Sequence, residues 1–264
     1  MEDLSDLRLR DHRPRVAVHR PLTDPVPTDP PLVDAHNHLG RWLTGPWATP
    51  DVGELLAVMD DANVAAIVNL DGMWGEELEA NLDRYDRAHP GRFATFAQWD
   101  RTLFASGGWA GLGAQIADAL RRGAKGLKVW KDLGLHLRDD RGALVMPDDL
   151  RLDPVWDAVG PAGAPVTIHV ADPIAFFEPL DARNERLEEL LANPDWWFGD
   201  RARFPAFDRI LDSLEALIRR RTDVTFVGAH VLCAAEDLAW VGRMLDTYPN
   251  VHADIAARIA ELGG

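Results

Sequence analysis

The stretch Val33-Asp34-Ala35-His36-Asn37-His38-Leu39 sets two histidines at i, i+2 near the close of an apolar run, and Gly40 ends it. Side chains of a β-strand alternate between faces, so this spacing puts both imidazoles on one side of a rigid support. Two imidazoles on one face make half of a site for a divalent metal. Two more histidines hold comparable places. His169 follows the β-branched run Val166-Thr167-Ile168, and His230 follows Gly228-Ala229 at the end of another apolar run. The other histidines, His12, His19, His89, His136 and His252, serve as an internal control, since all but one fall in the N-terminal leader or in loops. Four histidines at strand ends therefore point to a metal site rather than to scattered solvated side chains.

The elements that would position them alternate regularly. Apolar runs over 32–39, 64–70, 93–99, 126–130, 165–170, 225–231 and 251–255 read as strands. Amphipathic segments over 51–62, 76–88, 111–122, 153–159, 207–221 and 236–248 read as helices between them. Such alternation indicates βαβ units and a parallel sheet. Long insertions after the fourth and fifth strands, 132–149 and 172–205, suit loops around the C-terminal face of a (β/α)8 barrel, where catalytic groups gather. The fold class expected is therefore α/β, a (β/α)8 TIM barrel truncated after its seventh strand. The expected domains are an extended leader over 1–31 and a barrel domain over 32–264 lacking the eighth strand. Residues 15–19 could add a short edge strand.

The 264 residues are 47% hydrophobic, enough for a substantial core in one domain. A net charge of −15 disfavours nucleic acid and anionic membranes as partners, leaving a small-molecule substrate. No apolar stretch is long enough to span a bilayer, and the leader lacks the apolar run of a signal peptide. Cys233 is the only cysteine, which excludes an intrachain disulfide and makes a reducing cytoplasm the default.

Asp34-Ala35-His36-Asn37-His38, Lys125-Gly126-Leu127-Lys128, Thr167-Ile168-His169-Val170-Ala171-Asp172-Pro173 and Gly228-Ala229-His230 resemble the amidohydrolase-related metal-dependent hydrolases. More narrowly they resemble the amidohydrolase 2 branch, which includes the aminocarboxymuconate-semialdehyde-type decarboxylases. The resemblance runs from about residue 32 to the end. It implies a (β/α)8 barrel and a divalent metal, usually zinc, with manganese as the other candidate. It also implies that His36, His38 and His169 are metal ligands. His230 would be a catalytic residue beside the attacking water, or hold a second metal. The family's aspartate at the end of the eighth strand, its usual proton-transfer group, has no matching position. The expected function is hydrolysis of an amide, lactone or related bond by metal-activated water. The alternatives are decarboxylation of an aromatic or unsaturated acid, and an inactive barrel fragment that only binds.

Several residues keep two readings. Asp254 either replaces the missing aspartate or is structural. Lys128 either bridges metals, as a modified lysine does in some relatives, or pairs with an internal carboxylate. Asp34, deeper on the face of His36, is expected to orient backbone or a histidine. Trp42, Trp47, Trp74, Trp99, Trp130, Trp196 and Trp197 follow strand ends or lie in an insertion, so they either ring an aromatic pocket or pack loops onto the rim. Trp42 and Trp130 are the substrate-binding candidates. Arg183, Arg201 and Arg203 are candidates to hold a substrate carboxylate. The open edges of the first and seventh strands invite pairing with a second copy. Neither a phosphate-binding glycine loop nor an activated serine or cysteine is recognisable.

Overall fold

Strands form at all seven apolar runs: β1 Leu32–Asn37, β2 Val64–Asn69, β3 Phe93–Ala97, β4 Gly126–Val129, β5 Val166–Ile168, β6 Phe226–Gly228 and β7 Val251–Ala253. The structure is a computed structural model that describes residues 7–15 and 30–262. The strands pair in chain order within one sheet, each parallel to its neighbours. Parallel neighbours need crossovers, and helices supply them at Val52–Asp61, Gly75–Asn81, Trp109–Arg122, Asp153–Val159, Phe207–Arg220 and Leu238–Thr247.

Local chemistry explains these helices. Asp51 opens Val52–Asp61 by accepting from the Gly53 and Glu54 N–H groups at 2.7 and 3.3 Å, a cap worth about 1 kcal/mol. Phe207–Arg220 buries Phe207, Ile210, Leu211, Leu214, Leu217 and Ile218 along one face, the helical period in its clearest form here. The helix expected over 76–88 instead passes into a π turn at Leu82–Arg87. Its Tyr85 hydroxyl donates to Leu39 O at 2.8 Å and pins the chain just beyond His38.

The sheet curls far enough to bring its first and last strands together. His36 Nδ1 on β1 lies 2.7 Å from Asp254 Oδ2, one residue past β7. The fold is thus the barrel arrangement through its seventh strand, and no eighth strand lies among the described residues. The main core gathers around β4 to β7, while a smaller cluster of Leu39, Val52, Met59, Ile67, Tyr85 and Phe93 supports β1 and β2. In β4, Leu127, Lys128 and Val129 are fully buried, whereas Leu32 and Val33 of β1 are 54% and 60% exposed.

Trp99 corrects one expectation. It belongs to the main core, against Phe104 at 5.4 Å and Trp156 at 6.4 Å between ring centroids, and lines no mouth. Trp47 likewise packs on Tyr85 in the smaller cluster. Of the leader, Arg13 and Arg15 donate backbone N–H groups to Ala182 and Arg183 O, so this segment runs beside the insertion after β5. The expected edge strand over 15–19 lies, Arg15 apart, outside the described residues. No helix among the described residues is long and apolar enough to cross a membrane.

Candidate metal centre

All four strand-end histidines meet at the C-terminal edge of the sheet. Ring centroids are 5.4 Å apart for His36 and His38, 4.8 Å for His36 and His230, and 4.5 Å for His169 and His230. Two groups have ligand atoms within 4.8 Å of one another, namely His36 with His230 and Asp254, and His169 with Asp172 and His230. His38 belongs to neither group and stands at the rim, its side chain 24% exposed.

Oxygen acceptors behind the rings decide which nitrogen faces inward. His36 Nδ1 meets Asp254 Oδ2 at 2.7 Å, His38 Nδ1 meets Asp71 Oδ1 at 2.6 Å, and His230 Nδ1 meets Ala256 O at 2.8 Å. Carbonyl and carboxylate oxygens only accept, so each Nδ1 carries a proton, and in the neutral ring the lone pair is then on Nε2. This carboxylate–histidine pairing is the support that metal-bound imidazoles use. Asp254 Oδ1 also accepts the His230 and Ala256 N–H groups at 2.9 and 3.0 Å, so both its oxygens are engaged in orienting neighbours. Asp34 does the local work expected of it, accepting the His36 N–H at 3.1 Å and the Asn37 amide at 2.8 Å.

The other side differs. His169 Nε2 is buried with no hydrogen-bond partner, and the nearest carboxylate oxygen, Asp172 Oδ2, is 3.7 Å away. Asp172 Oδ1 accepts from Arg258 Nη2 at 2.6 Å, in a pair that is almost wholly buried. Burial pushes the Asp172 carboxyl above its ordinary value, with Arg258 opposing. Burial also lowers the imidazoles: His36 to about 4 despite Asp254, His169 well below its usual range, and His230 in the same direction. Neutral imidazoles, an orphaned buried Nε2 and nearby carboxylates form a donor set that fits a divalent cation.

The backbone that carries His230 is strained. His230, Val231, Leu232 and Cys233 all lie in the left-handed region, with φ of 54, 63, 57 and 62°. Each L-residue held there costs about 1–2 kcal/mol. Asp254 anchors the turn, its carbonyl accepting the Val231 N–H at 2.8 Å. Gly228 is required beneath it, because a Cβ there would sit 2.1 Å from Leu232 Cδ1. Strain of this kind concentrates at functional sites.

Trp130 forms a wall of the centre, 5.3 Å from the His38 ring and 6.4 Å from His169, with Trp42 against it at 4.7 Å. Trp130 therefore stands beside the histidines, with Trp42 behind it. Lys128 Nζ sits 5.3 Å from the Trp130 ring, buried without a hydrogen-bond partner, so the expected internal ion pair does not form. Burial lowers its amine to about 8. Arg183 pairs with Asp181, Arg201 binds the carbonyls of Phe177, Phe198 and Pro205, and Arg203 lies over Phe204. None of the three joins the histidines. Arg101, unremarked in the sequence, lies over Trp42 and pairs with Asp132 at 2.6 Å. Cys233 is buried, and that burial pushes its thiol up, which leaves it unreactive. Asp71 could have been found by the same rule as the histidines, since Asn69-Leu70-Asp71 ends an apolar run.

A parallel barrel with imidazoles at its C-terminal edge defines a class of metal-site barrels, and comparison places the chain within it. The amidohydrolase family model matches residues 33–261, and the chain belongs to that family. The structure is similar to 2,6-dihydroxybenzoate decarboxylase in complex with 2,6-dihydroxybenzoate, at TM-score 0.53 and 15% identity over 87% of this chain and 82% of that one. The Rhizobium 2,6-dihydroxybenzoate decarboxylase gives TM-score 0.51 and 15% identity over 87% and 81%. A Staphylococcus aureus protein provisionally described as an amidohydrolase gives TM-score 0.51 and 14% identity over 86% and 76%. At these identities the likeness concerns the fold. No curated protein sequence matches the chain.

Proposed function

We propose that this chain is a metal-dependent hydrolase of small molecules, with His36, His38 and His169 as ligands and His230 as a catalytic residue at the same centre. The observation that carries the reading is the convergence of imidazoles whose Nδ1 protons are held from behind, beside an orphaned His169 Nε2. Zinc suits nitrogen donors with a carboxylate nearby, with manganese as the alternative. When bound, the ion would supply Lewis acidity that polarises a substrate carbonyl and acidifies water.

The chain's own groups do the rest. Asp254 keeps the His36 proton on Nδ1 and ties the His230 N–H to β7. Asp172 has one oxygen on Arg258 and the other toward His169, and its raised proton affinity suits it to take a proton and return it to a leaving group. Trp130 and Trp42 exclude water from one side and offer apolar surface to the substrate.

Decarboxylation of an aromatic or unsaturated acid is the second reading, favoured by the Trp130 wall with the Lys128 amine behind it. The dihydroxybenzoate decarboxylases of similar fold act on such an acid. Metal content by elemental analysis of protein purified without chelator tests the shared premise. Near-stoichiometric metal, lost in His36→Ala, is the expected result, and a metal-free wild type would overturn it. Solvent oxygen in the product then identifies a hydrolase, and release of carbon dioxide a decarboxylase.

A further inference from the structure

A cavity lies apart from the histidines, between the leader, the insertion after β5 and the segment after β6. Its volume is about 560 Å³, within the roughly 300–1,000 Å³ of small-molecule sites. None of the strand-end histidines lines it, and neither does Trp42 or Trp130. Ile174, Ala175 and Pro179 give it an aliphatic wall. Buried Asn184 fixes that wall: its amide donates to Ala175 and Pro179 O at 2.8 and 3.2 Å, and its Oδ1 accepts the Arg186 N–H at 2.9 Å.

Glu236 is the acidic group of this lining with an unmet need. Its side chain is 6% exposed. Oε1 accepts from Arg258 Nη2 at 3.3 Å, whereas Oε2 is buried with no hydrogen-bond partner among the described residues. A carboxylate oxygen taken out of water and left bare is costly. Arg258 does not make up the difference, because the same Nη2 lies closer to Asp172 Oδ1, at 2.6 Å. Burial accordingly pushes the Glu236 carboxyl up, with Arg258 opposing. The cations of the lining stand at its exposed rim. Arg183 is 64% exposed and closed on Asp181 at 2.9 Å, and Arg15 is exposed as well. Glu178 adds a further carboxylate to the wall. What the cavity lacks is a positively charged donor for its buried oxygen.

We propose that this cavity is a second ligand site that takes a small organic ammonium, its head donating to Glu236 Oε2 and its aliphatic body lying against Ile174, Ala175 and Pro179. An ammonium carries three N–H donors, and its hydrogen bonds to a carboxylate are charge-assisted. A metal ion suits the site less well. Among the described residues, the groups that converge closely enough to hold one belong to the histidine centre, and Glu236 is in neither. Arg258 joins the two sites, bridging Glu236 and Asp172, while the ligand itself touches no imidazole. The site therefore stands whether the centre hydrolyses or decarboxylates.

The test is a ligand-observed NMR titration of the full chain with cyclohexylammonium and with its neutral counterpart cyclohexanol. It is run at about pH 8, where an alkyl amine is protonated and a carboxyl ionised, with and without added zinc. Wild type should prefer the ammonium. Glu236→Gln keeps Oε1 for Arg258 and removes the charge, so it should weaken the ammonium about tenfold or more and leave cyclohexanol unchanged. Glu178→Lys sets the same test on an exposed residue and decides it if Glu236→Gln does not fold. It should weaken the ammonium about threefold or more at an unchanged urea midpoint. Zinc should leave ammonium binding as it is. A wild type that does not bind the ammonium, or does not prefer it, would overturn the proposal. So would a folded Glu236→Gln that binds it as wild type does or loses both ligands equally. Binding that requires zinc, or that zinc abolishes, would place the ligand at the histidines and overturn it too.

Discussion

The two sides of the centre hold their histidines by different means. On the β5–β6 side, His169 and His230 rise from strands sunk in the main core, and the backbone after β6 is forced through four left-handed residues. On the β1 side the strand is half-exposed, and His36 and His38 are fixed by carboxylates reaching in from after β7 and β2. Packing is strong enough on one side to impose strain. On the other, where packing is thin, charge-assisted hydrogen bonds do the positioning.

That contrast can be broken at its strongest point first. Gly228→Ala should cost about 3 kcal/mol or more, read as a lower urea midpoint at unchanged slope, because the new Cβ collides with Leu232 inside a packed turn. A loss under about 1 kcal/mol would mean that the left-handed turn relaxes freely.

Acid should act next, through His36. Its folded-state pKa is lowered from 6.5 to about 4, chiefly by burial, so the unfolded chain binds its proton first as pH falls. The metal-free protein should therefore have this stability in full above pH 6.5 and lose it toward pH 4, by about 2–3 kcal/mol. His36→Asn should flatten the fall in a set of urea titrations across that window.

Asp254→Asn should weaken metal binding about 10- to 100-fold in a chelator competition, because it disturbs His36 and the His230 N–H together. Asp71→Asn should fall near the lower end, about tenfold, since His38 is at the rim. Equal losses would erase the distinction between the paired interior histidine and the exposed one. Smallest of all, Val33→Thr on the exposed part of β1 should change stability by no more than about 0.5 kcal/mol.

Much of the sheet was legible because each strand is a short apolar run, buried throughout in β4 and β5, and such runs need no distant information. The four histidines were legible for a related reason, since the end of each run marks the C-terminal edge of a parallel sheet. Asp34 could be read because its partners, the His36 N–H and Asn37, are local. Asp71, Asp172 and Asp254 were harder, since their roles depend on elements far away in the chain. The left-handed turn was invisible because Val231 and Leu232 carry no local preference for it. Trp99 misled for the opposite reason: it follows a strand as Trp130 does, but the curl of the sheet turns it into the core.

The contact between His36 and Asp254 spans 218 residues. On a ribosome adding roughly 5–20 residues per second, the histidine therefore waits on the order of 10–40 s for its partner. His38 meets Asp71 after only 33 residues, whereas the His36 ring lacks its acceptor until Asp254 emerges. The order of this centre thus arrives late in synthesis, once the chain has been made and folded through its seventh strand.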